Sequence, residues 1–175
     1  MARRITEAEV NQLYEKYHTP PHVIAHCRAV TRVATGLAEV LNQHGYHFDI
    51  ELIRGAGLAH DTARTQEDHG KVCADILQSL GFSDEAAIVR VHMNFQLDPV
   101  DRLTETDMVC IGDRLVKEDR YVGVDERFRY IIEKAPRTPE VRRHLEEQRE
   151  IMRHLLEQIE KIIGTTIDIL FENEN

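Results

Sequence analysis

A chain of 175 residues with 42% hydrophobic and 30% charged residues is of a size to bury one sizeable core. It has no tryptophan, 6% aromatics and few glycines or prolines, a composition closer to a helical protein than to a β-sandwich. A net charge of −9 argues against general nucleic-acid binding, which needs clustered Lys and Arg on one face, but leaves small phosphorylated ligands open.

The predicted elements are helices. Thr6 to Glu9 has the T-x-x-E form of a capping box, predicting a short first helix to about Lys16. Pro20 and Pro21 restart the chain, and Val23, Cys27, Val30, Ala34, Leu37 and Leu41 then recur at steps of four and three, one apolar stripe on a helix ending near Gly45. A third helix is expected from Ile50 to about His60, with Gly55 and Gly57 marking close packing against a neighbour. Asp61 to Asp68 is polar and should bend. A fourth helix starts at about His69 and ends at Gly81, and a fifth, capped by Ser83, runs to His92.

Asn94 to Arg102, with Pro99, reads as a loop before a buried sixth helix from Thr104 through Val116. After a polar stretch containing Gly123 comes a short helix before Pro136, then a long amphipathic cover helix from about Pro139 to Ile163 that offers a surface for homodimer formation. Cys27, Cys73 and Cys110 are odd in number, far apart and flanked by apolar residues, so they are expected as reduced core thiols. No stretch approaches the ~20 apolar residues of a membrane span, and the start, MARRITEAEV, has no apolar core like that of a signal peptide. Membrane insertion is therefore not expected, and a cytoplasmic location is.

Chemistry-bearing residues fall in five segments. LAHDTAR places His60 and Asp61 side by side where a helix meets a polar turn, about 100° apart around its axis, so both can approach one ion. Imidazole and carboxylate together suit iron, manganese, cobalt, nickel or zinc better than calcium. HVIAHCRAV puts His26 beside the apolar stripe, and MVCIGDRLV sets Asp113 in an apolar helix, where its charge needs a metal, an arginine such as Arg114, or a hydrogen-bond network. His69 and His92 fall at helix ends, where a hydrogen-bonded structural histidine is the other reading. Of the remaining histidines, His22 stands one turn before His26, while His144 and His154 should face solvent on the last helix.

The order His26, His60-Asp61, His69, His92, Asp113 resembles the HD superfamily of metal-dependent phosphohydrolases over about residues 18 to 128, closest in motif order to HD proteins that split diadenosine tetraphosphate symmetrically. That resemblance implies an all-α single-domain bundle of about six to eight helices. It implies a first metal held by His26, His60, Asp61 and Asp113, a second reached by His69 and His92, and Asp61 bridging the two. His60 and Asp61 are then the catalytic pair, and one or two divalent transition ions supply a hydroxide that attacks a phosphate ester or anhydride of a small molecule, a nucleotide first. Arg64, Lys117 and Arg120 lie a few residues from these positions and are candidates to hold substrate phosphate; Lys71 and Arg114 are weaker, since they can pair with acids such as Asp75 or Glu118. Two other classes stay open: a catalytically silent nucleotide-binding or scaffold module, and a dinuclear-iron oxygenase.

Overall fold

The computed structural model describes residues 3–94 and 96–171. Among them are nine α-helices: α1 (Glu7–Lys16), α2 (Pro21–Gln43), α3 (Ile50–Ala59), α4 (His69–Ser79), α5 (Ser83–Val91), α6 (Glu105–Leu115), α7 (Gly123–Lys134), α8 (Pro139–Ile163) and α9 (Ile167–Phe171). A two-residue hairpin, β1 (Val116–Lys117) and β2 (Arg120–Tyr121), interrupts them, with Val116 opposite Tyr121 and Lys117 opposite Arg120. None of the helices is long and apolar enough to cross a membrane.

The all-helical expectation holds, with differences that have local causes. The α9 helix has no counterpart in the sequence reading, because five residues are too few to display a period; burial of Ile167 and Phe171 holds it. Ser83 does not cap α5: it is the first helical residue, and its hydroxyl accepts a hydrogen bond from Gln78 Nε2 at 3.0 Å. The sixth helix stops at Leu115 because Val116 turns into the hairpin.

Helix α2 organises the site, since both α3 and α6 pack on it. Contact is closest at glycines: a Cβ on Gly57 would stand 2.7 Å from Thr31 Oγ1, and one on Gly112 would stand 2.8 Å from the Val30 carbonyl. Removing two side chains lets three backbones converge, so the residues facing each other near these crossings are held at ligand distance. The α2 stripe is wholly buried from Val23 to Leu41, and the buried side chains of all these helices join one apolar cluster. The α8 helix adds Met152, Leu155, Leu156, Ile159 and Ile163 to it, all from its C-terminal half, as the amphipathic reading expected.

The loop after α5 is fixed to α6 by a buried carboxylate. Asp107 accepts from the Thr104 amide at 2.7 Å and hydroxyl at 2.6 Å, and from the Asp98 amide at 2.9 Å. All three cysteines are free and buried, as expected. Burial pushes the Cys73 thiol up to about 11 and those of Cys27 and Cys110 further.

Candidate metal centre

His26, His60, Asp61, His69, His92 and Asp113 converge from five chain segments. His26 comes from the first turns of α2, His60 and Asp61 from the end of α3, His69 from the start of α4, His92 from the end of α5 and Asp113 from the last turn of α6. The α3 terminus is held from both sides: Tyr14 Oη donates to the Leu58 carbonyl, and Thr19 Oγ1 donates to the Thr62 carbonyl at 2.5 Å. His60 and Asp61 are thereby tied to α1 and to the segment that leads into α2.

Three rings share one orientation. Nδ1 of His26 lies 2.7 Å from the Glu118 carbonyl, Nδ1 of His60 2.7 Å from that of Gly57, and Nδ1 of His92 2.6 Å from that of Val89. A carbonyl oxygen only accepts, so each Nδ1 carries a proton, and in the neutral form of each ring Nε2 is the free lone pair. Nε2 of His60 and of His92 and Oδ1 of Asp61 are buried with no hydrogen-bond partner. Orphaned buried polar atoms are rare and costly, and these face one another. Ring centroids are 5.5 Å apart for His26 and His60 and 5.2 Å for His60 and His92.

Two groups of ligand atoms, each within 4.8 Å of one another, share Asp61: His26, His60 and Asp61, and Asp61, His69 and His92. The two carboxylate oxygens divide accordingly. Oδ2 lies 3.7 Å from His60 Nε2, whereas Oδ1 lies 3.1 Å from His69 Nε2 and 3.6 Å from His92 Nε2. Asp113 borders the first group, with Oδ1 3.1 Å from His26 Nε2 and Oδ2 2.5 Å from Arg114. Asp113 thus combines the two readings, its Oδ2 held by Arg114 while Oδ1 faces His26.

Burial opposes ionisation of Asp61, but His60, His69, His92 and Arg64 outweigh it and hold the carboxyl far below the ordinary carboxylate range. Asp113 is depressed likewise by His26 and Arg114 against its own burial. Burial pushes His60 down. Burial also acts downward on His26 and His92, but Asp113 and Asp61 respectively overcome it, and both rise. The donors are thus anionic carboxylates and carbonyl-oriented imidazoles, a set that fits a divalent transition ion.

Beside Asp61 opens a cavity of about 510 Å³ lined in part by His22, His26, Asp61, Arg64, Arg127 and Tyr130. Arg64 stands 3.5 Å from Asp61 Oδ2 and donates to His69 Nε2 at 2.8 Å. His22, noted for its spacing, is at the cavity wall. Lys117 pairs with Glu126 at 3.0 Å and lies 4.9 Å from the ring centre of Tyr130, which lines the cavity, whereas Arg120 projects to solvent beside Asp119 at 3.9 Å. The two-residue turn between β1 and β2 leaves Lys117 against Tyr130 at the cavity wall and turns Arg120 to solvent.

Arg127 was missed by sequence reasoning. From α7, its Nε donates to the Asp113 carbonyl at 3.2 Å and a terminal nitrogen lies 3.7 Å from Asp113 Oδ1, with the side chain 14% exposed. In the run DERFRYIIEK nothing separates it from Arg129, which is exposed and paired with Glu126; only the face buried on α6 tells them apart.

Fold and site together define a helical protein with a His/Asp cluster able to hold metal. Residues 23–118 match the family described as HD domain, and the chain belongs to that family, whose members are generally metal-dependent phosphohydrolases. It is also similar, at 32% identity, to an uncharacterized protein of Methanocaldococcus jannaschii, over 60% of this chain and 72% of that protein. No solved structure matches it.

Proposed function

We propose that the protein is a metal-dependent phosphohydrolase acting on a phosphate ester or anhydride of a small molecule, with nucleotides the first class to test. The observation that carries this reading is the set of inward, unpartnered donor atoms on His60, Asp61 and His92, next to a cavity that also holds two arginines. His26, His60, Asp61 and Asp113 would hold one ion, and Asp61, His69 and His92 a second; iron, manganese, cobalt, nickel and zinc all suit the donors. Bound there, divalent metal supplies an acidified water and a Lewis acid for the phosphoryl group.

The chain's own residues prepare the rest. Asp61 and Asp113 are ionised throughout the physiological range, so no proton has to leave them before metal binds. Arg64 and Arg127 present guanidinium donors to phosphoryl oxygens, and Arg127, packed against Asp113, does so from a fixed position. No cysteine thiolate competes as nucleophile, because burial keeps the three thiols protonated.

The test pairs elemental analysis of protein purified without chelator with phosphate release from a nucleotide panel including diadenosine tetraphosphate, run anaerobically. Near two transition ions per chain with phosphate release supports a dinuclear hydrolase. Metal without any release turns the reading to a silent binding module, and turnover that requires oxygen turns it to an oxygenase.

A further inference from the structure

One histidine conspicuous for its spacing stands outside the ligand set: His22, one helical turn before His26 on α2. Four residues of that helix line the cavity beside Asp61: His22, Val23, Ala25 and His26. At about 100° per residue, His26 lies about 40° and Val23 about 100° to one side of His22, and Ala25 about 60° to the other. The two histidines thus form the middle of the arc turned towards the cavity, with Ala25 and the buried Val23 at its edges. The His26 ring reaches the cluster, so the His22 ring projects into the same space one turn, about 6 Å, nearer the helix N-terminus. His22 is exposed where Asp61 is buried, which sets it on the solvent side of the cluster.

The two rings differ in what holds them. His26 is engaged at both nitrogens, Nδ1 by the Glu118 carbonyl at 2.7 Å and Nε2 by Asp113 at 3.1 Å. The His22 ring has no hydrogen bond or ion pair among the described residues, so both its nitrogens are open to a ligand. Imidazole is also the side-chain type that gives and takes a proton near neutral pH. Guanidinium, the chemistry of Arg64 and Arg127 in the same lining, keeps its protons. The phenol and carboxyl types, carried there by Tyr130, Glu118 and Asp119, ordinarily titrate near about pH 10 and about pH 4.

Resting on the phosphohydrolase reading, we propose that His22 is a catalytic residue of this site, the general acid that protonates the departing oxygen of a phosphate ester. In an in-line displacement the leaving oxygen stands opposite the attacking one. Water attacking from the buried cluster therefore sends the leaving group outward, to the side on which His22 stands. One P–O bond forms to the water oxygen and the ester P–O bond breaks, its electron pair staying on the leaving oxygen. That oxygen takes the proton of the His22 imidazolium and departs as the alcohol. The proton released by the attacking water goes to solvent, and solvent reprotonates the ring, so atoms and charge balance over the cycle.

The experiment compares kcat/KM of the metal-loaded native protein and of His22→Gln for two esters that differ by one methylene, p-nitrophenyl phosphate and p-nitrobenzyl phosphate. Nitrophenolate leaves as a stable anion and needs no proton, whereas the benzylic alkoxide does. His22→Gln is expected to cost about a hundredfold more on the nitrobenzyl than on the nitrophenyl ester, the worth of a general acid, with metal content per chain and circular dichroism as in the native protein. A residue that only shapes the cavity or supports His26 would lower both esters alike. Equal losses on the two, no loss on either, or a nitrobenzyl ester left intact by the native protein overturns the proposal alone. No phosphate release from these esters or from the nucleotide panel overturns the phosphohydrolase reading and this proposal with it.

Discussion

Nε2 of His26 lies 3.1 Å from Oδ1 of Asp113, although Nδ1 of the same ring already donates to the Glu118 carbonyl. In a neutral ring this sets lone pair against lone pair, so the contact calls for a second ring proton or a cation between the two atoms. Two ligand atoms each about 2.1 Å from one ion, at right angles, stand about 3 Å apart. Divalent metal at a hundred times its Kd should then stabilise the fold by about 2.7 kcal/mol, and at about 2–4 °C per kcal/mol for this size the melting temperature should rise by roughly 5–10 °C. Thermal unfolding with and without chelator measures it; an unchanged midpoint across the transition metals would remove the cation from this contact.

Asp61 belongs to both ligand groups, whereas His69 and His92 belong to one. Asp61→Ala is expected to abolish turnover and most metal binding, and His69→Ala or His92→Ala to lose about one ion and keep the other. Metal content per chain, with circular dichroism to confirm folding, distinguishes them. A variant lacking Asp61 with near-normal metal, beside a His69 variant lacking both ions, would falsify the bridging role.

How legible the site was differs from residue to residue. His60 and Asp61 are a weak signal alone and gain their weight from the order of His26, His69, His92 and Asp113 around them. Gly55 and Gly57 signalled close approach, and Gly57 indeed meets Thr31. Arg127 gave no signal, since only its tertiary position on Asp113 distinguishes it from the solvent-facing Arg129 three residues from Glu126. Proximity in sequence to Asp113 could not separate Lys117 from Arg120: across the two-residue turn one lies against Tyr130 at the cavity wall and the other faces solvent.

Arg127 holds its place through its own bond to the Asp113 carbonyl, so it can meet a phosphate without ordering a long side chain. Arg127→Gln is expected to lower kcat/KM by about ten- to a hundredfold, the worth of a charged hydrogen bond, and to weaken competitive inhibition by inorganic phosphate in parallel. Arg127→Lys should recover only part, because it restores the charge without the planar fork. Phosphate inhibition unchanged in Arg127→Gln would assign the residue to the support of Asp113 alone.

Gly112 tests the convergence of α6 on α2. Alanine there gains about 0.8–1.0 kcal/mol in helix propensity, but its Cβ would meet the Val30 carbonyl at 2.8 Å and the Ala34 side chain at 3.1 Å. Backbone cannot step aside as a flexible side chain can, and forced overpacking costs about 1–3 kcal/mol, so the clash should win. The urea midpoint of Gly112→Ala should fall with an unchanged slope. Metal affinity should fall too, since Asp113 is the next residue; a midpoint at or above the native value would mean that the crossing has slack.

Asp49 supplies a pH-dependent share of stability remote from the metal cluster. Its carboxylate caps α3 by accepting from the Leu52 amide at 3.0 Å and holds Arg4 at 2.8 Å. Burial acts to raise its pKa, but the Leu52 bond and Arg4 prevail and the folded-state value lies below the ordinary one. A folded pKa below the unfolded one means that the unfolded chain takes up the proton first. The stabilisation is thus complete above about pH 4, the unfolded carboxyl value, and is lost as pH falls through the lower folded value. Asp49→Asn keeps a capping oxygen but not the charge, so its urea midpoint should fall less steeply than that of the native protein between about pH 4 and pH 3. Asp49→Ala should lose about 1 kcal/mol at neutral pH through the missing cap. Parallel acid limbs in the native and Asn proteins would show that the Arg4 pairing contributes no pH-linked stability.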